Sequence, residues 1–250
     1  MSIVKVNVSD HIAHVEMNRP EVRNAINLEM VEALTDALDE LARRDDVRVL
    51  VISGAGGKAF AGGADIAELR DRTQREAFSA INATLFQKVE DFPRPTIAAV
   101  EGYALGGGFE LALACDLRVG SKTAKVGLPE TTLGIYPAAG GTWRLPRLVG
   151  LGRARDIVFT GRILEAEEAY AVGIFEYLVE AGGALDAAFE TAKKIAANAP
   201  LAIQVAKVSL NALARGADPR SVEQLGQALL FDSPDKRERM TAFLEKRARK

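Results

Sequence analysis

The sequence predicts an α/β fold whose C-terminal part is helical. Residues 96–116, TIAAVEGYALGGGFELALACD, run from a buried strand, Thr96 to Val100, past Gly102 and through Gly106-Gly107-Gly108 into a helix over Phe109 to Ala114. Upstream, short β-rich runs alternate with amphipathic helical stretches. From Leu151 onward the pattern is helical, with one brief strand near Glu176 to Val179.

The glycine stretch carries the first chemical expectation. Three adjacent residues without side chains let a ligand approach the backbone closely where strand becomes helix. The first N–H groups of that helix are unpaired and carry the positive end of its dipole, so an oxygen that gains charge can be held there. Glu110 stands alone among Phe109, Leu111, Ala112 and Leu113. A purely structural account is also open, since glycines serve close packing and an early acidic residue favours the dipole.

Composition bounds the rest. With 250 residues, 48% hydrophobic and 26% charged, the chain can bury a large core. A net charge of −2 provides no overall basic field for nucleic acid. Cys115, the single cysteine, lies in an apolar helical run and reads as a buried structural thiol in a reducing compartment. The start MSIVKVNVSD lacks a signal-peptide pattern, and no apolar run is long enough for a membrane span. A cytoplasmic protein is expected.

In chain order, Ile3 to Val8 and Ile12 to Met17 read as a hairpin turning at Ser9–Asp10. His11 and His14 share no metal-ligand spacing with Cys or acidic residues and read as solvent-facing strand histidines. Asn18-Arg19-Pro20 ends the strand. Asn27 caps a helix with Met30, Val31, Leu34, Leu38 and Leu41 on its apolar face. Val47 to Ile52 is a strand. The run Gly54-Ala55-Gly56-Gly57-Lys58-Ala59 has the loose form of a dinucleotide fingerprint, but more glycines follow where a long helix should open, so it reads as a surface loop. Asp65 and Glu68 have capping-box spacing at the start of a short helix, and Ala64 just before them offers a second free N–H.

Residues 73–91 read as one helix with Phe78, Ile81, Leu85, Phe86 and Val89 apolar, ended by Pro93 and Pro95. After a strand at Leu117 to Val119, Pro129 places Glu130 in a loop. Alone, Glu130 would be a solvated carboxylate. Residues 134–141 are loop, and Thr142 is placed to cap a short helix bearing Trp143 and Leu145. Helices are expected at 151–160, 165–172, 183–198, 200–214, 219–231 and 234–248, the last rich in Arg and Lys.

Taken together, five segments resemble the enoyl-CoA hydratase/isomerase, or crotonase, family over nearly the whole chain. They are Asn18-Arg19-Pro20 with Asn24-Ala25, Ala59 to Ile66, Gly102 to Leu111, Pro129-Glu130 with Gly134, and Ala242 to Arg247. The resemblance implies the crotonase (ClpP-like) fold. Repeated β-β-α units would form a spiral core over 1–195 that holds the active site. Helices over 196–250 would support a homotrimer or a hexamer of paired trimers. It further implies an oxyanion hole formed by the backbone N–H groups of Ala64 and Gly107. The catalytic pair would be Glu110, holding and activating water, and Glu130, moving a proton at the α-carbon. CoA and substrate contacts would fall to Arg23, Ala61, Asp65, Ile66, Phe243 and Lys246.

The implied reaction is hydration of a trans-2-enoyl-CoA to a 3-hydroxyacyl-CoA in fatty acid or other lipid metabolism. No metal or cofactor is implied, and coenzyme A enters as part of the substrate. Both glutamates are kept, which favours hydratase over an isomerase that shifts the double bond from position 3 to 2 with Glu130 alone. Ala138 stands where glycine is frequent in the family, and Trp143 where glutamine is. A non-catalytic RNA-binding relative and an NAD-dependent dehydrogenase are the more distant alternatives. Neither nucleic acid nor membrane is an expected partner.

Overall fold

The computed structural model describes residues 2–248. The chain divides into two units, one reaching Lys193 and the other beginning at Lys194.

The first unit opens with a hairpin of β1 (Val4–Ser9) and β2 (Ile12–Met17), paired from Val4 with Met17 to Ser9 with Ile12. The turn residues are Asp10 and His11, both at positive φ, one position later than expected. His11 is therefore a turn residue, with Nδ1 2.8 Å from Asp46 O. His14 does not face solvent as expected. It is half-buried, its ring stands edge-on to Phe189 at 5.4 Å, and Nε2 lies 2.8 Å from Ser53 Oγ. Burial lowers its pKa.

Helix α1 (Leu28–Ala42) begins at Asn27, whose side chain accepts the Met30 N–H at 3.0 Å. Its expected apolar face is buried. Next come β3 (Val49–Gly54), β4 (Ala59–Ala61), α2 (Ile66–Asp71), α3 (Gln74–Phe78) and α4 (Ile81–Glu90). The order continues with β5 (Thr96–Val100), β6 (Tyr103–Leu105), α5 (Gly107–Ala114), β7 (Leu117–Ser121) and β8 (Lys125–Gly127). A 3-10 turn at Pro129–Leu133 leads to α6 (Gly141–Val149), α7 (Leu151–Thr160), β9 (Ile163–Glu165), α8 (Ala166–Ala171), β10 (Tyr177–Val179) and α9 (Ala184–Ala196).

The described strands form a larger sheet, in the order β1-β2-β3-β5-β7-β10, and a smaller one, β4-β6-β8-β9. The pairs β3–β4, β5–β6 and β7–β8 each give one strand to the larger sheet and the next to the smaller. This repeat is the β-β-α unit. The strands of the smaller sheet span only three residues each, too few for alternation to be legible, and the sequence places none there.

Between the sheets and helices, Phe60, Phe86 and Phe109 are fully buried, each contributing about 1.5–3 kcal/mol of transfer free energy. Helix α5 lies directly on β4. A Cβ at Gly108 would fall 2.1 Å from the Ala61 carbonyl oxygen, so only glycine permits this approach. That contact brings the start of α5 to the segment after β4.

The expected single helix over 73–91 is broken. Thr73 caps α3 with a full capping box, and Ala80 then takes a left-handed conformation (φ 48°) that starts α4. The break turns Phe78 outward, 80% exposed, while Leu85, Phe86 and Val89 remain buried. Asp65 caps α2, but Glu68 closes no box and instead accepts the Leu28 N–H at 3.2 Å. Gly140, not Thr142, precedes α6.

The second unit comprises the end of α9 with α10 (Pro200–Ala214), α11 (Arg220–Phe231) and α12 (Pro234–Ala248). Helices α10 to α12 enclose an apolar cleft of about 280 Å³, lined in part by Leu201, Leu230, Phe231 and Met240. Among the described residues no helix is long and apolar enough to cross a membrane.

Candidate active site

Three segments of the first unit converge. The first is Gly62 to Asp65, after β4. Two bonds flank Ala64, from Ile26 N to Gly63 O at 2.8 Å and from Asp65 N to Ile26 O at 3.2 Å. In this parallel bridge the N–H of Ala64 itself points away from Ile26. The Ala64 nitrogen lies close to Gly107, 3.6 Å from where a Gly107 Cβ would be. Gly107 is the first residue of α5, so its N–H has no acceptor within the helix. Two amides at one place, one backed by a helix dipole, suit an oxygen that becomes negative. The Asn82 side-chain nitrogen is nearby, 3.9 Å from the same Cβ position. Asn82 was not singled out from the sequence, because its approach depends on the break at Ala80.

The second segment is Glu110, one turn into α5 and 4% exposed. Its Oε1 accepts the N–H groups of Ala139 and Gly141, both at 2.8 Å. Burial raises the carboxyl pKa, while these amides and the Arg144 charge partly oppose the rise. The amide donor is Ala139 and not Ala138, whose side chain is exposed. Trp143 is also at the surface, with the Arg144 and Arg147 guanidinium carbons 4.0 and 4.6 Å from its ring centre.

The third segment is the 3-10 turn. Glu130 does not lie in an open loop as expected. It is buried, because Thr132 Oγ1 closes the turn on Pro129 O at 2.7 Å and Thr131 Oγ1 ties it to Val158 O at 2.9 Å. Its Oε1 lies 3.0 Å from where a Gly106 Cβ would be, beside the start of α5. Its Oε2 is buried with no hydrogen-bond partner. Desolvation, with a contribution from Glu110, pushes the Glu130 pKa to about 7. A buried carboxyl with one oxygen unpaired and a pKa near neutrality can take or give a proton to something brought to it.

The remaining expected contacts are distributed. Arg23 is exposed, accepts the Gly62 N–H on its carbonyl at 2.8 Å, and lies 5.3 Å from the Tyr103 ring centre. Ala61 is buried in β4, Asp65 is occupied in capping α2, and Ile66 is 56% exposed. Phe243 and Lys246 belong to the second unit, on exposed positions of α12. Asn24, quoted only as part of a motif, is fully buried. It donates to Ala55 O and Ala59 O at 3.0 and 2.8 Å, pinning the loop ahead of β4. Among the described residues no three His, Cys, Asp or Glu side chains gather as metal ligands.

A family model described as enoyl-CoA hydratase/isomerase matches residues 7–250. The short-chain-enoyl-CoA hydratase of Clostridium acetobutylicum is 38% identical, over 94% of this chain and 92% of its own. The crotonyl-CoA hydratase of Syntrophomonas wolfei is 38% identical, over 95% and 93%. An enoyl-CoA hydratase structure from Bacillus anthracis superposes with a TM-score of 0.94 at 37% identity, over 98% of this chain and 97% of that one.

Proposed function

The chain belongs to the enoyl-CoA hydratase/isomerase family and has the crotonase fold, and we propose that it adds water across the 2,3 double bond of a trans-2-enoyl-CoA. The product is the 3-hydroxyacyl-CoA. The observation that carries the choice of reaction is the glutamate pair: Glu110 anchored through one oxygen, Glu130 with one oxygen unpaired and a pKa of about 7.

In this reading the thioester carbonyl takes the N–H groups of Ala64 and Gly107. Conjugation lets that oxygen carry the negative charge that develops as water attacks C3. Each donor is worth about 3 kcal/mol of barrier. The Glu110 carboxylate, held by its amides, orients the water and accepts its proton as the C3–O bond forms. Glu130, protonated, gives its proton to C2. The pair ends with one proton displaced, and exchange between the two carboxyls restores it. The electrophile is a pair of amides and the base a carboxylate, so coenzyme A enters only with the substrate. In this reading Arg23 would meet the CoA phosphates, and Ala61, Asp65 and Ile66 would serve the thioester end.

We place the protein in lipid metabolism in the cytoplasm, although relatives from Arabidopsis thaliana and human are named as mitochondrial. Leu210, Leu213, Leu225, Leu229, Phe243 and Leu244 are each more than half exposed on the second unit, which supports an assembly of copies, a trimer or pairs of trimers. In such an assembly Phe243 and Lys246 would serve a neighbour's CoA.

The test is the loss of conjugated enoyl-thioester absorbance when the purified protein meets crotonyl-CoA. Rapid loss supports the reading. No loss with crotonyl-CoA or a longer enoyl chain, in protein that binds CoA, would direct the same assay to a 3-enoyl-CoA and to isomerisation.

A further inference from the structure

The glutamate that would hold the water depends on a buried cation the reaction does not touch. Arg144, in the first turn of α6, is 5% exposed. Its Nε donates to Glu90 Oε2 at 2.7 Å, and its Nη2 is 2.7 Å from the same oxygen. Its Nη1 donates to the Ala139 carbonyl at 2.9 Å. The Ala139 N–H, on the other side of that residue, is one of the donors to Glu110. Arg144 also closes the turn through its own N–H, which donates to Gly140 O at 2.9 Å. The guanidinium fills the space a side chain at Gly140 would need, since a Cβ there would lie 2.0 Å from Nη1. Glu90 ends α4, whose other end carries Asn82 beside the Gly107 amide.

We infer that Arg144, clamped by Glu90, is a positioning residue that keeps the Ala139–Gly141 turn wrapped around the Glu110 carboxylate. Removing the guanidinium frees the Ala139 carbonyl and empties the space beside Gly140, while the backbone bond from Arg144 to Gly140 remains. The Ala139 N–H then loses its fixed aim at the Glu110 oxygen. Glu110 is faced by Arg144 from α6 and by Glu130 from the 3-10 turn, and Glu90 acts on it through Arg144. Losing the one cation among these groups makes Glu110 harder to ionise.

The inference rests on the hydratase reading for its kinetic test. The full chain is assayed with crotonyl-CoA as wild type, Arg144→Met, Arg144→Lys and Glu90→Gln. For Arg144→Met we expect kcat to fall about a hundredfold, as for other losses of alignment at a distance from the chemistry. KM should change little, because the amides of Ala64 and Gly107 stay in place. The acid limb of the kcat profile should move to higher pH, which loosened packing alone would not cause. Arg144→Lys should restore part of the rate and most of the limb.

A folded Arg144→Met with wild-type kcat and an unmoved limb overturns the inference. Should Arg144→Met fail to fold, because it removes the cation paired with the buried Glu90, Glu90→Gln decides. This change keeps the shape and loosens the clamp, so a lower kcat with a shifted limb supports the inference, and neither change overturns it. Should the wild type hydrate nothing, the hydratase reading fails separately. Titration of the Glu110 carboxyl by carbon-13 NMR, assigned with Glu110→Gln, then tests the positioning directly. A higher midpoint in Arg144→Met, or in Glu90→Gln where Arg144→Met does not fold, supports it, and identical midpoints overturn it.

Discussion

Gly141 donates its backbone N–H to Glu110 Oε1 at 2.8 Å, and the N–H of Ala139 reaches the same oxygen at the same distance. One oxygen is thereby fixed and the other is left to work on water. Glu110→Gln should preserve this geometry, since the amide oxygen can accept both N–H groups, yet it abolishes the base. We expect kcat for hydration to fall by about 10²- to 10⁴-fold with the fold intact by circular dichroism. Hydration within a factor of about ten of wild type would remove Glu110 from the mechanism.

Glu130 sets the alkaline side of the reaction. As the proton donor to C2 it must be protonated, and its pKa lies at about 7. The rate should therefore decline as pH rises through that region, and the decline should be absent from the residual activity of Glu130→Gln. A flat profile from pH 6 to 9 in the wild type would contradict the role.

The same residue carries a stability signature. Its folded pKa is raised above the ordinary carboxylate value, so the folded state holds the proton more tightly than the unfolded state. Stability from this group is present in full below the unfolded value and is lost as pH rises through about 7. Glu130→Gln removes the charge that must be buried. Its melting temperature relative to wild type should rise between pH 5 and pH 9, with a gain of about 1–3 kcal/mol at the alkaline end. A difference that does not change with pH would show that Glu130 titrates normally.

Neighbouring glycines in α5 should respond in opposite ways. At Gly107 an added Cβ meets only ordinary contacts, the nearest being Ala64 N at 3.6 Å. Gly107→Ala should fold normally while its methyl crowds the place where the thioester oxygen would bind, so kcat/KM falls. At Gly108 the Cβ would strike the Ala61 carbonyl oxygen at 2.1 Å. Gly108→Ala should lose about 1–3 kcal/mol of stability by urea unfolding. Equal stability and equal activity in both variants would refute the close packing of α5 on β4.

Arg23 is exposed, so a phosphate bound there would be screened by salt. Arg23→Gln should raise KM for crotonyl-CoA severalfold at low ionic strength, consistent with about 1 kcal/mol or less, and leave kcat unchanged. The difference should shrink as salt is added. A KM effect that does not depend on salt would rule out a screened phosphate contact at Arg23.

Much of this protein is legible along the chain. The helices at 151–160, 200–214 and 234–248 coincide with their expected spans, and Asn27 caps where its side chain predicts. These are local facts: periodicity, a capping oxygen, a glycine run between strand and helix. The family segments are also local, so the fold and the glutamate pair can be found without coordinates. The three-residue strands of the smaller sheet and the break at Ala80 are not legible, because neither has a pattern beyond its own few residues.

What folding alone settles is how distant groups meet. The partners of Glu110 are 29 and 31 residues away, and Glu90 lies 54 residues from Arg144. No spacing rule connects them. The Glu130 carboxyl would titrate like any other on a solvated loop. It is raised because the 3-10 turn buries it beside Gly106 with one oxygen unpaired. Residue identity supplies the acid groups and the amides. Burial and long-range contact determine which of them can hold a proton, and at what pH.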